Sequence, residues 1–397
     1  SLASLIGQMN AARVAVKYGP LHTKSLEIAK NAALKKHQGD FEQFVILSEL
    51  DKTDIRWWID RVPRAIKSLI PAPITHVIYT DSSLLGYGYK SETTGAAGGG
   101  RWSVDEQQKH INLLEIRAIF WSILALFPAK KHLHLKVFCD SQVAISCVNR
   151  QGSTKSLTCN TETRNLLLYC EKNDIDLTMC HIPGLQNTDA DTKSRVFKNQ
   201  DTEWSLDDNT FNTLCQIFQF SPDIDLFAER LNTKCPTYCS WDLDPFATHI
   251  NAMTLDWSLY NNLYCFPSFS MIGRVLSQFA RVPPPTKMMI VVPVWPTQSW
   301  WTQLLNSAIA QPVVFLVKQD TLTLKHNPGI VHPLVNKLKL MGVLISTSTL
   351  EHKAFLDLWQ KHSLLLGHKT HSHNTRYTLN AGKSSVIKGV QVPHIQI

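Results

Sequence analysis

Between Ile74 and Arg195 the apolar pattern changes period repeatedly, and this switching constrains the fold more than any other feature of the chain. Thr75–Tyr79 is a β-branched and aromatic run that ends in Thr80-Asp81. Leu84–Tyr89 and Gly100–Val104 read as further strands, divided by a glycine-rich turn at Gly95–Gly99. Helical spacing then carries Leu113, Leu114, Ile116, Ile119, Phe120 and Ile123. A strand at Leu133–Cys139, helices at Gln142–Val148 and Glu162–Glu171, a strand at Ile175–His181 and a short helix at Ala190–Arg195 finish the block. That order predicts an α/β layer on a mixed sheet.

The flanks read differently. Residues 1–70 predict helices, with apolar positions at Leu21, Ile28 and Ala32 and again at Phe44, Ile46, Leu47, Leu50, Ile55, Trp58 and Ile59. Trp57-Trp58 reads as a packing anchor, and Pro63 with Pro71-Ala72-Pro73 punctuates the stretch. Past Trp204, a helix at Phe211–Phe218, a short apolar run at Ile224–Phe227, a helix at Met271–Phe279 and a buried strand at Met288–Val294 predict a second α/β domain. The expected division is a helical connection at 1–73, an α/β domain at 74–198, a second at 199–320, an extension at 321–366 and a basic tail at 367–397.

Composition narrows the class. With 44% hydrophobic residues in a chain of 397, sizeable cores can form, which excludes disorder as the dominant state. The net charge of +8 gathers at the ends: the last forty residues hold five basic groups and no acid, a modest field that suits nucleic acid. Nine cysteines lie between Cys139 and Cys265 with no repeating frame, so free thiols in an intracellular setting, cytoplasmic or nuclear, are expected. Cys235 and Cys239 lack a second pair, which argues against structural zinc. No apolar run approaches the length of a membrane span. The chain begins at Ser1 rather than Met, and a fragment or processed piece is expected.

The chemistry of the middle block lies in where its acids fall. Asp81 ends the first strand, Glu115 sits early in the first long helix, Asp140 ends the fourth strand and Asp191 begins the last helix. Reactive groups of open α/β sheets collect at the carboxyl ends of strands. Four hard oxygen donors without Cys or His favour Mg²⁺ or Mn²⁺, and two such ions can activate water at a phosphodiester. Solvated surface charge is the competing reading for any one acid alone.

These residues carry a resemblance. Thr80-Asp81-Ser82-Ser83 with Gly86 and Gly88, Ile111-Asn112-Leu113-Leu114-Glu115, Cys139-Asp140-Ser141, and His181-Ile182-Pro183-Gly184 with Asn187, Ala190-Asp191, Ser194 and Arg195 resemble the ribonuclease H domain of retroelement polymerases. Their wording is most similar to DIRS-like retrotransposons, which use a tyrosine recombinase. The resemblance implies endonucleolytic cleavage of RNA in an RNA–DNA hybrid, with Asp81, Glu115, Asp140 and Asp191 as ligands of two Mg²⁺ or Mn²⁺ ions. It makes residues 1–73 the end of a reverse transcriptase, and the polymerase core and recombinase of the same element the partners. Asn112, Ser141, Gln142 and Asn187 become candidates for phosphate or minor-groove contacts, with turn and cap roles as the alternative. His181 becomes a candidate for product release or proton transfer, against an ordinary structural histidine. Arg195 becomes a candidate partner of phosphate or of the acids. Lys193 departs from the family, which has an apolar residue there.

The region after 200 follows the same element through Trp204, Ile224-Asp225-Leu226-Phe227-Ala228, Asn232 and Trp257, and more distantly resembles phage-type adenine-N6 DNA methyltransferases. Where those enzymes carry an Asn/Asp-Pro-Pro-Tyr/Phe turn, this chain has Phe266-Pro267-Ser268-Phe269. The amide acceptor is gone, so a silent module is expected, and S-adenosylmethionine binding through Asp225 is disfavoured because no glycine-rich loop precedes it. Trp241, Trp257, Trp295, Trp300 and Trp301 read as core residues. No polymerase Tyr/Phe-x-Asp-Asp turn and no recombinase series occurs. The leading expectation is a two-metal ribonuclease H. A non-catalytic nucleic-acid-binding remnant comes second and an adenine methyltransferase third.

Overall fold

Three helices precede the first strand: α1 (Leu2–Ala12), α2 (Lys24–Lys36) and α3 (Glu49–Arg61). They belong to a computed structural model that describes residues 1–68, 70–197, 204–364 and 383–397. Ser48 starts α3 with a capping box: its Oγ accepts from the Asp51 amide at 3.2 Å, and Asp51 accepts from the Ser48 amide at 2.8 Å. The cap excludes the residues before it. Phe44 and Ile46, expected on the helix stripe, are 97% and 96% exposed in an irregular stretch. Trp58 is buried as expected, with its indole N–H donating to the His22 carbonyl at 3.1 Å.

The period switching yields β1 (His76–Ser82), β2 (Gly86–Ser91), β3 (Ala97–Arg101), α4 (Val104–Gln107), α5 (Ile111–Leu126), β4 (Leu133–Cys139), α6 (Gln142–Asn149), α7 (Leu157–Asn173), β5 (Ile175–His181) and α8 (Thr188–Arg195). The sheet runs β3-β2-β1-β4-β5; β1, β2 and β3 are antiparallel neighbours, while β4 lies parallel to both β1 and β5. The first turn sits earlier than expected. Gly95, with φ +73°, closes it, and Gly98, Gly99 and Gly100 are strand residues of β3. Their lack of side chains admits neighbours: a Cβ at Gly98 would meet the Tyr89 hydroxyl at 2.5 Å.

Residues 1–197 form one compact unit, so the leading helices are not separate from the sheet. Tyr18 donates to the Ile175 carbonyl at 2.8 Å, and His22 is bonded to Glu171 at 3.1 Å. The core gathers Leu21 and Tyr18 with Ile78, Ile116, Ile119, Val137 and Leu166.

Residues 198–397 form the second unit. It comprises β6 (Trp204–Leu206), α9 (Asp208–Phe218), β7 (Ile224–Asp225), β8 (Cys239–Ser240), β9 (His249–Ile250), β10 (Asn262–Cys265), α10 (Ile272–Phe279), β11 (Lys287–Pro293), α11 (Trp301–Asn306), β12 (Val313–Leu316), β13 (Leu322–Leu324), β14 (Lys339–Ser346), α12 (Thr349–Leu364), β15 (Ser384–Ile387), β16 (Val390–Pro393) and β17 (Ile395–Gln396). Its main sheet runs β17-β12-β14-β11-β10-β7. Both faces are covered: Met288, Ile290 and Val292 enter one core, Met289 and Val291 the other. That is why β11 reads as an unbroken apolar run.

Two expectations need correction here. Residues 321–366 are no appendage, because β14 is the strand between β11 and β12. The expected tail folds at its end: Lys388 and Gly389, with φ +47° and +84°, turn β15 back onto β16, and β17 joins the main sheet. Residues 367–382 of that tail lie outside the described residues. Trp257, Trp300 and Trp301 are core residues, whereas Trp241 is 56% exposed and Trp295 37%. No helix among the described residues is long and apolar enough to cross a membrane.

Candidate metal centre

Parallel pairing of β1 with β4 brings the first two acids together. Their register pairs Tyr79 with Phe138, so Asp81 near the end of β1 and Asp140 just past β4, each two residues further on, fall at equivalent positions. Glu115 arrives from above, on the buried face of α5 with Leu114 and Ile116. Carboxylate oxygens of Asp81, Glu115 and Asp140 all lie within 4.8 Å of one another. Asp81 and Glu115 are 4% and 5% exposed, and Asp140 faces the open side.

Burial with little compensation dominates the electrostatics. Desolvation pushes the Glu115 carboxyl up to about 9, with the Asp81 and Asp140 charges adding to it and a hydrogen bond from the Ser82 backbone opposing it. Desolvation likewise takes Asp81 to about 6, against the hydrogen bond from Ser194. The same desolvation, with the Glu115 charge, drives the neighbouring Cys139 thiol up to about 12, so it is an inert core group. Glu115 Oε2, Thr80 Oγ1 and Asn187 Oδ1 are buried without a hydrogen-bond partner. Orphaned polar atoms at one sheet edge are a recurrent mark of a functional site. The donor set fits a hard divalent cation: it is all oxygen, converges within one ion's reach, leaves one oxygen unpartnered and has an open side.

α8 is clamped over this edge. Asn187 Nδ2 donates to the Thr80 carbonyl at 2.9 Å, Ser83 Oγ to the Ser194 carbonyl at 2.7 Å, and Ser194 Oγ lies 2.7 Å from Asp81 Oδ2. Gly88 makes this approach possible, since a Cβ there would sit 2.2 Å from the Ala190 carbonyl and 2.6 Å from the Ser194 amide. Lys193, the departure from the family pattern, lies over the same glycine, where its Cβ would be 2.7 Å from a Gly88 side chain.

The other expected residues divide. Asp191 is on α8 but outside the three-acid cluster, its Oδ1 accepting from Arg195 Nε at 2.6 Å. Arg195 therefore meets an acid rather than standing free. Ser141 is the N-cap of α6, accepting from the Ala144 amide at 3.2 Å, and Asn187 is a buried tether. Both take the structural alternative. Gln142 and His181 are exposed and Asn112 is half-buried near the start of α5. Ser194, quoted in the motif without a role, is the α8 residue that reaches Asp81.

In the second unit Asp225 ends β7 and Phe266 follows β10, at the carboxyl ends of adjacent parallel strands. Asp225 is buried, accepts from the Lys234 and Phe227 amides at 3.0 and 3.4 Å, and is raised to about 6 by desolvation. Phe266 and Phe269 pack on the apolar core, Phe269 edge-on to Trp295 at 5.2 Å, and the Pro267 between them is buried. Ser268 Oγ is 3.4 Å from Ser270 Oγ.

Parts of the chain are similar to solved structures. The ribonuclease H1 of the halophilic archaeon Halobacterium salinarum NRC-1 aligns at 18% identity over 30% of this chain and 92% of that one, with a TM-score of 0.24. LC11 ribonuclease H1 in complex with an RNA/DNA hybrid aligns at 17% identity over 30% and 91%, with a TM-score of 0.25. A foamy viral protease-reverse transcriptase in complex with an RNA/DNA hybrid aligns at 13% identity over 52% of this chain and 28% of that one, with a TM-score of 0.21. No family model and no curated protein matches the chain.

Proposed function

We propose that the first unit is a ribonuclease H that hydrolyses the RNA strand of an RNA–DNA hybrid. The observation that carries this reading is the convergence of Asp81, Glu115 and Asp140 within 4.8 Å, two of them buried without a neutralising partner. Such a cluster is costly unless a cation joins it. Asp81, Glu115 and Asp140 would hold Mg²⁺ or Mn²⁺, which supplies activation of water and charge stabilisation at the leaving oxygen. The chain's own contribution is positioning. Ser194 fixes the Asp81 carboxylate, the Asn187 tether fixes the end of β1, and Asp140 faces the side from which a phosphodiester can approach. Discrimination for RNA would rest on 2′-hydroxyl contacts.

The test is incubation of the purified chain with a labelled RNA–DNA hybrid and Mg²⁺ or Mn²⁺, beside Asp140→Asn. Cleavage by the parent and a loss of at least a hundredfold in the variant are expected. No cleavage with either metal, or equal cleavage by the variant, overturns the reading.

For the second unit we propose a catalytically silent methyltransferase-like module of a DIRS-like retroelement, whose reverse transcriptase core and tyrosine recombinase are partners of this chain. Phe266 supports silence. It stands at the strand end where a polar acceptor would be needed, and packs instead on apolar neighbours. Transfer of a labelled methyl group from S-adenosylmethionine to adenine-containing DNA would refute this.

A further inference from the structure

Asp191 and Arg195 lie four residues apart on α8, acid before base, the order that best suits a pair on one helix face. Their contact is short, 2.6 Å from Nε to Oδ1, yet both side chains reach solvent, at 39% and 58% exposure. Asp191 is close enough for its charge to act on Asp81, although its oxygens stay outside the group formed by Asp81, Glu115 and Asp140. The Arg195 charge acts on Asp81, Glu115 and Asp140 as well as on Asp191. One guanidinium thus engages the fourth acid directly and the other three through space.

We propose that Arg195 is a positioning residue that holds Asp191 away from the carboxylate cluster, so that a second divalent cation binds only as this ion pair opens. The proposal rests on the metal-site reading above and adds an order of events to it. Asp81, Glu115 and Asp140 form a site for one ion with their side chains where they stand. The second ion must take Asp191 from Arg195. An exposed pair of this kind is weak, so Arg195 delays the second ion without preventing it.

Calorimetric titration of the metal-free full chain with Mn²⁺ tests this without any catalytic readout. The parent is expected to bind one ion tightly and a second more weakly. Arg195→Gln should tighten the second ion by about three- to tenfold at low salt, and added salt should shrink the gain. In an Asp191→Asn background the same substitution should leave second-ion binding unchanged, because the acid to be released is absent. Equal second-ion affinity in the parent and Arg195→Gln overturns the latch and leaves the metal site standing. So does an equal gain in the Asp191→Asn background, which would mark a general effect of charge. Absence of Mn²⁺ binding to the parent and every variant overturns the latch and the metal site together. Both positions are exposed on α8, and unchanged circular dichroism checks that the variants fold.

Discussion

Asp54 and Glu115 are both nearly sealed from water in the first unit, yet Asp54 is held below the ordinary carboxylate range and Glu115 is pushed up to about 9. Burial alone would raise both. Around Asp54 it is overcome by hydrogen bonds from His22 at 2.7 Å, Arg164 at 2.6 Å and Ser25 at 2.7 Å. His22 in turn reaches Glu171 and stacks on Trp57 with ring centroids 3.9 Å apart. That cluster ties α2 and α3 to α7 and leaves its charges satisfied. Around Asp81 and Glu115, no cation is bonded to either among the described residues, and Glu115 Oε2 has no partner. A structural cluster neutralises itself, whereas a cluster built for a ligand keeps its cost until the ligand arrives.

The comparison breaks first under neutral substitution. Asp54→Asn leaves Arg164 and His22 facing an amide, and should lower the unfolding free energy by about 3 kcal/mol. Glu115→Gln replaces an acid that must take up a proton on folding at pH 8 with a neutral amide, and should instead raise metal-free stability at pH 8 by about 1 kcal/mol. Urea unfolding of both variants without divalent metal decides. Equal losses would show that the two acids are held alike.

Their pH responses should differ in sign. Glu115 and Asp81 have folded values raised above the unfolded ones, so the native state binds more protons between those values. Their contribution is best below pH 4 and declines through about 6 for Asp81 and about 9 for Glu115. Asp54 and Glu171 are lowered, so they stabilise above their unfolded values, and that stability is lost as pH falls through their folded ones. His22 is raised: burial opposes the charged form, but its bonds to Asp54 and Glu171 prevail, and its contribution is lost as pH rises through the folded value. In metal-free protein, Glu115→Gln should flatten the decline between pH 6 and 9 by roughly 2 kcal/mol. Asp54→Asn should leave that decline in place and weaken stability near pH 5. Thermal or urea unfolding across pH reads both.

Gly88→Ala probes the packing beneath the acid cluster. The added methyl meets backbone atoms of Ala190 and Ser194, which cannot yield as a flexible side chain would. A cost of about 2 kcal/mol is expected, with faster amide exchange in α8 and loss of the Ser194 contact to Asp81. Gly95→Ala, at a positive φ but with no neighbour within 4 Å of the added carbon, should leave α8 exchange unchanged.

Much of this arrangement was legible in the residues. Asp81 and Asp140 follow apolar runs that can only be strands, so their sharing of an edge required just parallel pairing of β1 and β4. Most helices and strands of the first sheet fell close to expectation because each keeps one period throughout, but the strand expected at Gly100–Val104 lies at Ala97–Arg101, Val104 begins α4, and α7 starts at Leu157 rather than Glu162. What escaped depended on neighbours distant in sequence. Phe44 and Ile46 fit a helical stripe, but the Ser48 cap starts the helix after them. The last strand, β17, was hidden at the end of a basic, polar stretch because its partner lies far back at Pro312–Val314. Asp191 matched its motif, yet a residue one turn away claims its oxygen. The role of the Asp54 cluster was invisible, since His22, Asp54 and Glu171 are separated by up to 149 residues.

The gentlest way to sharpen the comparison is to supply the ligand. A cation that binds only the folded cluster stabilises by mass action, about 1.4 kcal/mol when present at ten times its dissociation constant. Mg²⁺ or Mn²⁺ must displace the protons that burial keeps on Glu115 and Asp81, so its effect should grow from pH 6 to pH 8. The Asp54 cluster contains its own cations and offers none of this response. Added metal should therefore raise the unfolding midpoint of the parent and of Asp54→Asn by similar amounts, while leaving that of Glu115→Gln nearly unmoved. A metal-induced rise of the same size in Glu115→Gln would mean that the ion binds elsewhere, and that the unpaired acids at the end of β1 and β4 carry their cost for another reason.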